Sequence, residues 1–423
     1  MNPNPAIMKS VEQLDYRVTV GDVASQTGLE IAFAQQELLN LASSANGHLQ
    51  VAETGDILYL FPQNFRTVLL GKYWRLRLKN WLQGAWKTIF YLIRISFGII
   101  LILSIVIISL AILAIIIASS SSRSDNNNRS SRGGGMMFFP NFWFSPNMFT
   151  VFSPRYNQRY RQTSYSQNSQ LPQEKSELNF LESIYSFLFG DGNPNPNLEE
   201  RRWQEIATVI QKNQGAVIAE QVAPYLDNIN IYNERDEDYM LPVLTRFNGY
   251  PEVSEMGDII YYFPELQIKA NEAQNKKIEP YLKENHWQFS IANSQQKMMA
   301  IGLGGINLIL ALVLGSMLTP ELMVELGSLV ALVNPVYNLL LIYGASYLVV
   351  PLVRYFWLQT RNKKVVARNN NREQRANFLG ENKDILQPKI DYARQFAKQK
   401  ILTGKDVIYS TDKDMLDNIF EDS

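Results

Sequence analysis

Asn46–Pro62 reads NGHLQVAETGDILYLFP, and Asn248–Pro264 reads NGYPEVSEMGDIIYYFP. The two stretches align without a gap at an offset of 202, with ten identities in 17 positions. Agreement of that length marks an internal duplication. The unit itself is legible. Ile57, Tyr59 and Phe61 alternate with Leu58 and Leu60 in a β-rich run, preceded by Thr54-Gly55. That pair fits a tight hairpin turn, because glycine takes a positive φ without steric cost. Upstream, the pattern predicts helices over Val18–Gly28 and Leu29–Ala42. Thr19 is placed to cap the first, Thr27-Gly28 breaks between them, and Ile31, Ala34, Leu38 and Leu41 form an apolar stripe at helical spacing. In the second copy the helices are expected at Leu198–Lys212, Val217–Leu226 and Asp236–Asn248. Helices followed by a two-stranded hairpin resemble a winged helix, so residues 1–65 and 177–270 are expected to be two winged-helix-like soluble modules.

Many winged helices bind DNA, and charge tests that expectation. Residues 11–65 hold seven acids and one base; residues 199–268 hold thirteen acids and five bases. The stretch Leu29–Ser43, where a recognition helix would lie, contains no Lys or Arg. Affinity for nucleic acid rests on neutralising phosphates and specificity on groups such as Arg in a groove. Modules with this balance are repelled by DNA, so nucleic acid is not the expected partner and protein–protein interaction is.

Phe90–Ala118 is 29 residues long with Arg94 as its only charge. About 20 apolar residues in a helix cross a bilayer core, so this stretch is expected to span. Met298–Leu318 and Leu326–Val353 are also uncharged, and the turn between them carries Pro320, Glu321 and Glu325. The expected fold class is therefore α+β: two winged-helix-like modules plus about three transmembrane α-helices. Gly302, Gly304 and Gly305 would let helices approach closely. Asn307, Asn334 and Asn338 are expected to hydrogen-bond between helices, and Asn334-Pro335 to kink the last one.

Basic residues cluster beside the first span (Arg66, Lys72, Arg75, Arg77, Lys79, Lys87 and Arg94) and after the last (Arg354, Arg361, Lys363, Lys364, Arg368, Arg372 and Arg375). The positive-inside rule then puts both flanks, and the soluble modules with them, on the cytoplasmic or stromal side. A single first crossing leaves the middle module on the wrong side; the aromatic segment Met136–Phe152 is the candidate for returning the chain, but its 17 residues are marginal for a span and fit an interfacial aromatic segment better, so the return stays open. Lys72, Arg75, Arg77 and Lys79 are candidate contacts to anionic lipid. Trp81, Trp86, Trp143, Trp287 and Trp357 are candidate membrane-interface aromatics.

The remaining segments are a basic amphipathic lead-in with the first span (66–118), a low-complexity linker rich in aromatics and Arg (119–176), a lead-in with a transmembrane hairpin (271–353) and a charged helical tail (354–423). In the tail, a short helix is expected over Asp391–Ile401 and an N-cap at Thr411 before Met415–Phe420.

Lys+Arg and Asp+Glu both number 40, cysteine is absent, and only two histidines occur. That excludes disulfides, thiolate zinc sites, cysteine-ligated clusters and cysteine nucleophiles. No cofactor, metal site or catalytic residue is expected.

The run SFLFGDGNPNPNLEERRWQ (Ser186–Gln204), the duplicated ExGDIxYxFP motif and the ending KDVIYSTDKDMLD (Lys405–Asp417) resemble a poorly characterised family of cyanobacterial and chloroplast membrane proteins. The resemblance implies a thylakoid or other photosynthetic membrane, or the plasma membrane of a cyanobacterium. Plant members carry an iron–sulfur cluster biosynthesis label; a chain without cysteine cannot hold a thiolate-ligated cluster.

The expected function is a non-enzymatic membrane scaffold or assembly factor, whose partners are membrane lipids and a membrane or soluble protein. Homo-oligomerisation stays open. The alternative is a membrane-tethered transcriptional regulator, which the fold favours and the charge opposes. A transporter or channel would need an oligomer, and no charged residue inside the later spans supports it.

Overall fold

The computed structural model describes residues 3–72, 74–121, 178–227, 229, 237–271, 278–318, 327–403 and 406–411. They form two compact units. Unit 1 comprises Met1–Gln83, Asn195–His286 and Lys363–Ser423; unit 2 comprises Gly84–Pro194 and Trp287–Asn362.

The main helices are α1 (Pro5–Gln13), α2 (Val20–Thr27), α3 (Ile31–Ser44), α4 (Phe65–Lys72), α5 (Trp74–Ser121), α6 (Phe180–Phe189), α7 (Leu198–Lys212), α8 (Leu241–Phe247), α9 (Ser294–Met317), α10 (Gly327–Glu381) and α11 (Lys383–Phe396). The strands are β1 (Arg17–Val18), β2 (His48–Ala52), β3 (Ile57–Leu60), β4 (Ala216–Val217), β5 (Tyr250–Val253), β6 (Ile259–Tyr262), β7 (Ile268–Lys269), β8 (Lys400–Ile401) and β9 (Val407–Ser410).

In unit 1 the first segment runs α1, β1, α2, α3, β2, β3. Thr19 and Asp22 cap α2 reciprocally: the Asp22 N–H donates to Thr19 Oγ1 at 3.1 Å and the Thr19 N–H to Asp22 Oδ2 at 3.1 Å. Gly28, at φ +72°, ends it. Ile31, Ala34, Leu38 and Leu41 are the buried stripe of α3. The second segment repeats the order: α7, β4, a broken helical stretch, α8, β5, β6. Strand register repeats as well. His48 pairs with Leu60 and Val51 with Ile57; Tyr250 pairs with Tyr262 and Val253 with Ile259, each shifted by 202. Gly55 and Gly257 hold the two hairpin turns, both at φ +86°. One hydrophobic core joins the segments, with Leu38, Tyr59 and Phe65 from the first and Ile210, Phe247 and Phe263 from the second.

The second segment departs from its expected helices. Ala216 and Val217 are a strand, and after Ala219–Val222 the chain tightens into a 3₁₀ turn at Ala223–Tyr225. Pro224 lacks the N–H that a longer helix would need. Asp238–Met240 is another 3₁₀ turn, followed by α8 with Pro242 in its first turn.

The residues from Lys363 onward belong to the same unit. β9 pairs antiparallel with β2, giving the order β1-β3-β2-β9, and β8 pairs in parallel with β7. The helix expected over Asp391–Ile401 begins instead at Lys383 and ends at Phe396. Lys400 and Ile401 are strand because β7 supplies their backbone partners. Leu386 and Ala393 of α11 pack on Ile218 and Ile260. The N-cap expected at Thr411 and the segment Met415–Phe420 fall at and beyond the last described residue.

Unit 2 is helical. α9 opens with a reciprocal cap: the Gln296 N–H donates to Asn293 Oδ1 at 2.8 Å and the Asn293 N–H to Gln296 Oε1 at 3.2 Å. Leu101, Ile105, Ile108, Ile112 and Ile115 form one face of α5 and are buried against α9, α10 and α6. The opposite face, with Leu103, Leu110 and Ile117, is exposed and apolar. Three helices, Gly84–Ala118, Ser294–Met317 and Val336–Glu381, are long and apolar enough to cross a membrane. A helix apolar all round belongs in a membrane or a large core. Gly304 lies against the Tyr347 ring and Gly315 against the Tyr337 hydroxyl, whereas Gly302 and Gly305 meet nothing. Asn307 accepts a hydrogen bond from Ser104 Oγ at 2.7 Å, linking α9 to α5. Asn338 is exposed. The side chains of Asn334 and Pro335 lie outside the described residues, as does the return segment Met136–Phe152.

Candidate functional site

One exposed surface of unit 1 is the outer face of α3. Its buried stripe leaves Ala32, Phe33, Gln35, Gln36, Leu39, Asn40 and Ser43 facing outward. Phe33 and Leu39 are 41% and 43% exposed. Two half-exposed apolar side chains among polar ones, with the half-buried Glu37 as the one charge of α3, make a surface suited to protein contact. It offers nothing to a phosphate.

Elsewhere unit 1 is fastened by buried ion pairs that α10 brings to the second segment. Arg372 is fully buried and meets Asp227 and Glu284 together, at 2.7 and 2.8 Å. Its Nη1 donates to the Leu282 carbonyl at 2.9 Å. Arg368 grips Glu284 with two bonds of 2.7 and 2.6 Å. Asn369 accepts from the Glu284 N–H and donates to its carbonyl, both at 2.9 Å. Arg375 donates to the carbonyls of Leu226 and Ala223. Burial alone would raise the pKa of Glu284, but the Arg368 hydrogen bonds and the Arg372 charge outweigh it and hold the carboxyl below its ordinary range.

A second cluster sits under α11. Lys389 Nζ meets Glu220 at 2.9 Å and Glu237 at 2.8 Å, and Tyr261 donates to Glu237 Oε2 at 2.7 Å. Burial opposes the lysine charge, yet the two carboxylates raise its pKa overall. At the matching position of the first copy, Tyr59 is buried and its hydroxyl pushed up to about 12 by burial and by Glu265.

In unit 2 the GDG turn after α6 builds a polar node. Asp191 accepts from Ser186 Oγ at 2.6 Å and from the Ile291 N–H at 3.0 Å, and pairs with Arg94 at 3.2 Å. Ser186 and Ser290 hydroxyls lie 2.6 Å apart. Arg354 donates to the carbonyls of Phe187 and Phe289 and lies under Gly190, where a Cβ would collide with its guanidinium. Most of these bonds hold backbone in place, so the node's chemistry is to fix backbone, with the Arg94 Nε buried without a hydrogen-bond partner. The hallmark run at Ser186–Gln204 thus supplies Ser186, Gly190 and Asp191 to this node.

Among the described residues no group of three or more His, Cys, Asp or Glu is placed to hold a metal. Of the candidate lipid contacts, Lys72, Arg75, Arg77 and Lys79 lie on α4 and α5, with side chains outside the described residues. Trp81 and Trp86 project from α5, 67% and 63% exposed. Trp143 lies outside the described residues. Trp287 and Trp357 meet edge to face at 6.0 Å, with Arg361 lodged against both rings. The ion-pair anchors were missed in the sequence. Arg368, Arg372 and Arg375 read there as flanking charge, and only their spacing of four and three residues along one helix face hinted at a shared partner.

No family model and no solved structure matches the chain. It is 39% identical over 430 residues to a chloroplastic uncharacterized protein of Arabidopsis thaliana, At5g03900. The match covers 98% of this chain and 80% of that protein. Its chloroplast setting and the long apolar helices are compatible with a membrane protein. At that identity and coverage, the chain belongs to the family of this chloroplastic protein.

Proposed function

We propose that the chain is an integral membrane scaffold or assembly factor, without enzymatic activity, in a photosynthetic membrane of a cyanobacterium or plastid. Its two segments with the helix–strand–helix–helix–strand–strand order act as winged-helix-like modules descended from one ancestor. They work as a fused pair on the cytoplasmic or stromal side, and they recruit protein rather than DNA. The observation that carries the reading is the outer face of α3, where Phe33 and Leu39 stand among polar side chains, the half-buried Glu37 is the one charge and no base occurs. In a winged helix that face would have to read a groove, and readout calls for Arg, Lys or Asn aimed at bases and basic side chains on phosphates.

The test is a photo-crosslinking residue in place of Phe33 in the full chain, irradiated in native membranes. A discrete protein adduct, absent when the same residue replaces Ser25, is the expected result. Adducts to lipid alone would sink the reading. The strand and helix order favours a second reading, a membrane-tethered regulator. Binding of the detergent-solubilised chain to duplex DNA at low salt would turn the conclusion to that one.

A further inference from the structure

Unit 2 contains three described arginines, Arg94, Arg354 and Arg361. Arg94 is spent on Asp191 and Arg354 on backbone carbonyls. Arg361 differs. Its guanidinium carbon lies 4.6 Å from the centre of the Trp287 ring and 4.5 Å from that of Trp357. Among the described residues no carboxylate or carbonyl takes its N–H donors. The corner that holds it is rigid. The indoles meet at 70°, and the Trp287 backbone is pinned on both sides by Asn362, which accepts from its N–H at 2.8 Å and donates to its carbonyl at 2.9 Å.

Aromatic faces orient a guanidinium and strip part of its hydration, but they leave its edge donors unused. Five N–H groups in a planar fork match a phosphate or sulfonate with two oxygens presented side by side. The position along α10 fits a headgroup. The uncharged run ends at Val353, and exposed Phe356 and Trp357 continue the apolar face. Arg361 follows Trp357 by one turn on the same side, about 6 Å further along the axis. That is the depth at which Trp belts give way to charged headgroups.

We propose that Arg361, held in the corner of Trp287 and Trp357, binds the anionic headgroup of one membrane lipid through a phosphate or sulfonate. The assignment rests on the reading that this chain is inserted in a bilayer. It concerns residues other than the basic lead-in at Lys72–Lys79, and its ligand is held by one fork rather than by diffuse charge.

The experiment uses the full chain in mixed micelles of neutral detergent with phosphatidylglycerol or phosphatidylcholine, and reads bound lipid by native mass spectrometry. The wild type is expected to retain phosphatidylglycerol in preference to phosphatidylcholine. Arg361→Gln should retain it about tenfold less, the loss of one charge-assisted pair. Arg361→Lys keeps the charge without the fork and should fall between, which guards against a Gln variant that merely misfolds. Lys87→Gln removes an equal charge on α5 and should match the wild type. Equal retention by Arg361→Gln and the wild type, or an equal loss in Lys87→Gln, would overturn the site. So would inorganic phosphate displacing the lipid at low millimolar concentration, which would mark a free-anion site. Extraction of the chain from membranes by alkaline carbonate would refute bilayer insertion instead, and is scored separately.

Discussion

Arg372 and Asp227 stand 145 residues apart in the chain and meet through two parallel bonds, Nε to Oδ1 at 2.9 Å and Nη2 to Oδ2 at 2.9 Å. The same guanidinium touches Glu284, so one fully buried cation serves two carboxylates. Removing Arg372 leaves Asp227 to Arg202 and Glu284 to Arg368 but takes away charge-assisted hydrogen bonds in a poorly solvated place, at a cost of about 1.5–3 kcal/mol. Arg372→Met is therefore expected to lower the unfolding free energy of unit 1 by that amount. Denaturant unfolding of the solubilised chain, followed by proteolysis of the α7 region, measures it. Adding Glu284→Gln to Arg372→Met should cost less than Glu284→Gln does alone, because one of the pairs it would break is already gone while Arg368 still holds the carboxylate; a strictly additive double variant would show that the pair is not coupled.

Glu284 also sets a pH dependence. Its folded pKa lies below the ordinary value, so its ion pairs stabilise the folded state above that ordinary value, and the contribution disappears as pH falls through the folded value. Unit 1 should lose stability with increasing steepness below about pH 4.3. In Glu284→Gln the neutral-pH stability is lower, and this part of the acid limb is flatter. Melting curves from pH 3 to pH 7 compare the two; parallel limbs would remove Glu284 from the account.

Much of unit 1 was legible because its signals are local. The Thr19 cap, the Gly28 stop, the α3 stripe and the Gly55 and Gly257 turns are each set by a few neighbouring residues. The strands β1, β4, β8 and β9 were not legible. Two of them are Arg17–Val18 and Lys400–Ile401, too short to show a period, and each exists because a distant strand offers its backbone. Helix α1 was missed as well, although Asn4 and Pro5 stand at its start in the order that favours a cap and a first helical turn. The α3 face could be read in part: the absence of Lys and Arg was visible, but which residues point outward follows from packing. The node around Asp191 depends on contacts 100 and 167 residues distant and left no pattern beyond the Gly-Asp-Gly run.

The glycines of α9 can be told apart by test. Gly304 lies directly under the Tyr347 ring, while Gly302 and Gly305 face open space. Tyr347 is held there by its hydroxyl, which donates to the Ala300 carbonyl at 3.2 Å. Gly304→Ala should cost about 1–3 kcal/mol through overpacking, and Gly302→Ala and Gly305→Ala less than about 0.5 kcal/mol. Adding Tyr347→Leu to Gly304→Ala should regain some of the loss by vacating the space. Titration with a denaturing detergent gives the order, and three equal glycine variants would contradict this packing.

β9 closes the edge of β2 and should protect it. The Leu49 N–H donates to Thr411 Oγ1 at 2.9 Å, and the Thr411 N–H returns to the Leu49 carbonyl at 3.0 Å. Ending the chain at Leu402 leaves that edge unpaired. Hydrogen exchange should then quicken at Leu49 and Val51 and stay unchanged in β5. The second copy carries Pro251 where the first has Leu49, so that position has no N–H to offer an added strand. Unchanged exchange at Leu49 would mean that β9 contributes nothing to the sheet.

The last prediction concerns sidedness. α3, α7 and the end of α10 belong to one unit although three long apolar stretches, in α5, α9 and the earlier part of α10, intervene in the sequence. A compact unit with one core cannot be divided by a bilayer, because its shared apolar residues and its buried ion pairs would be pulled apart. The chain has no native cysteine, so single reporters are clean. Gln36→Cys in α3, Glu199→Cys in α7 and Glu373→Cys in α10 are all at exposed positions. In sealed vesicles, a membrane-impermeant maleimide should label all three from the same side, at comparable rates. Labelling of position 36 from one side and position 199 from the other would divide unit 1. The common core of Leu38 and Phe247 would then be wrong, and with it the fused pair of modules on which the scaffold reading depends.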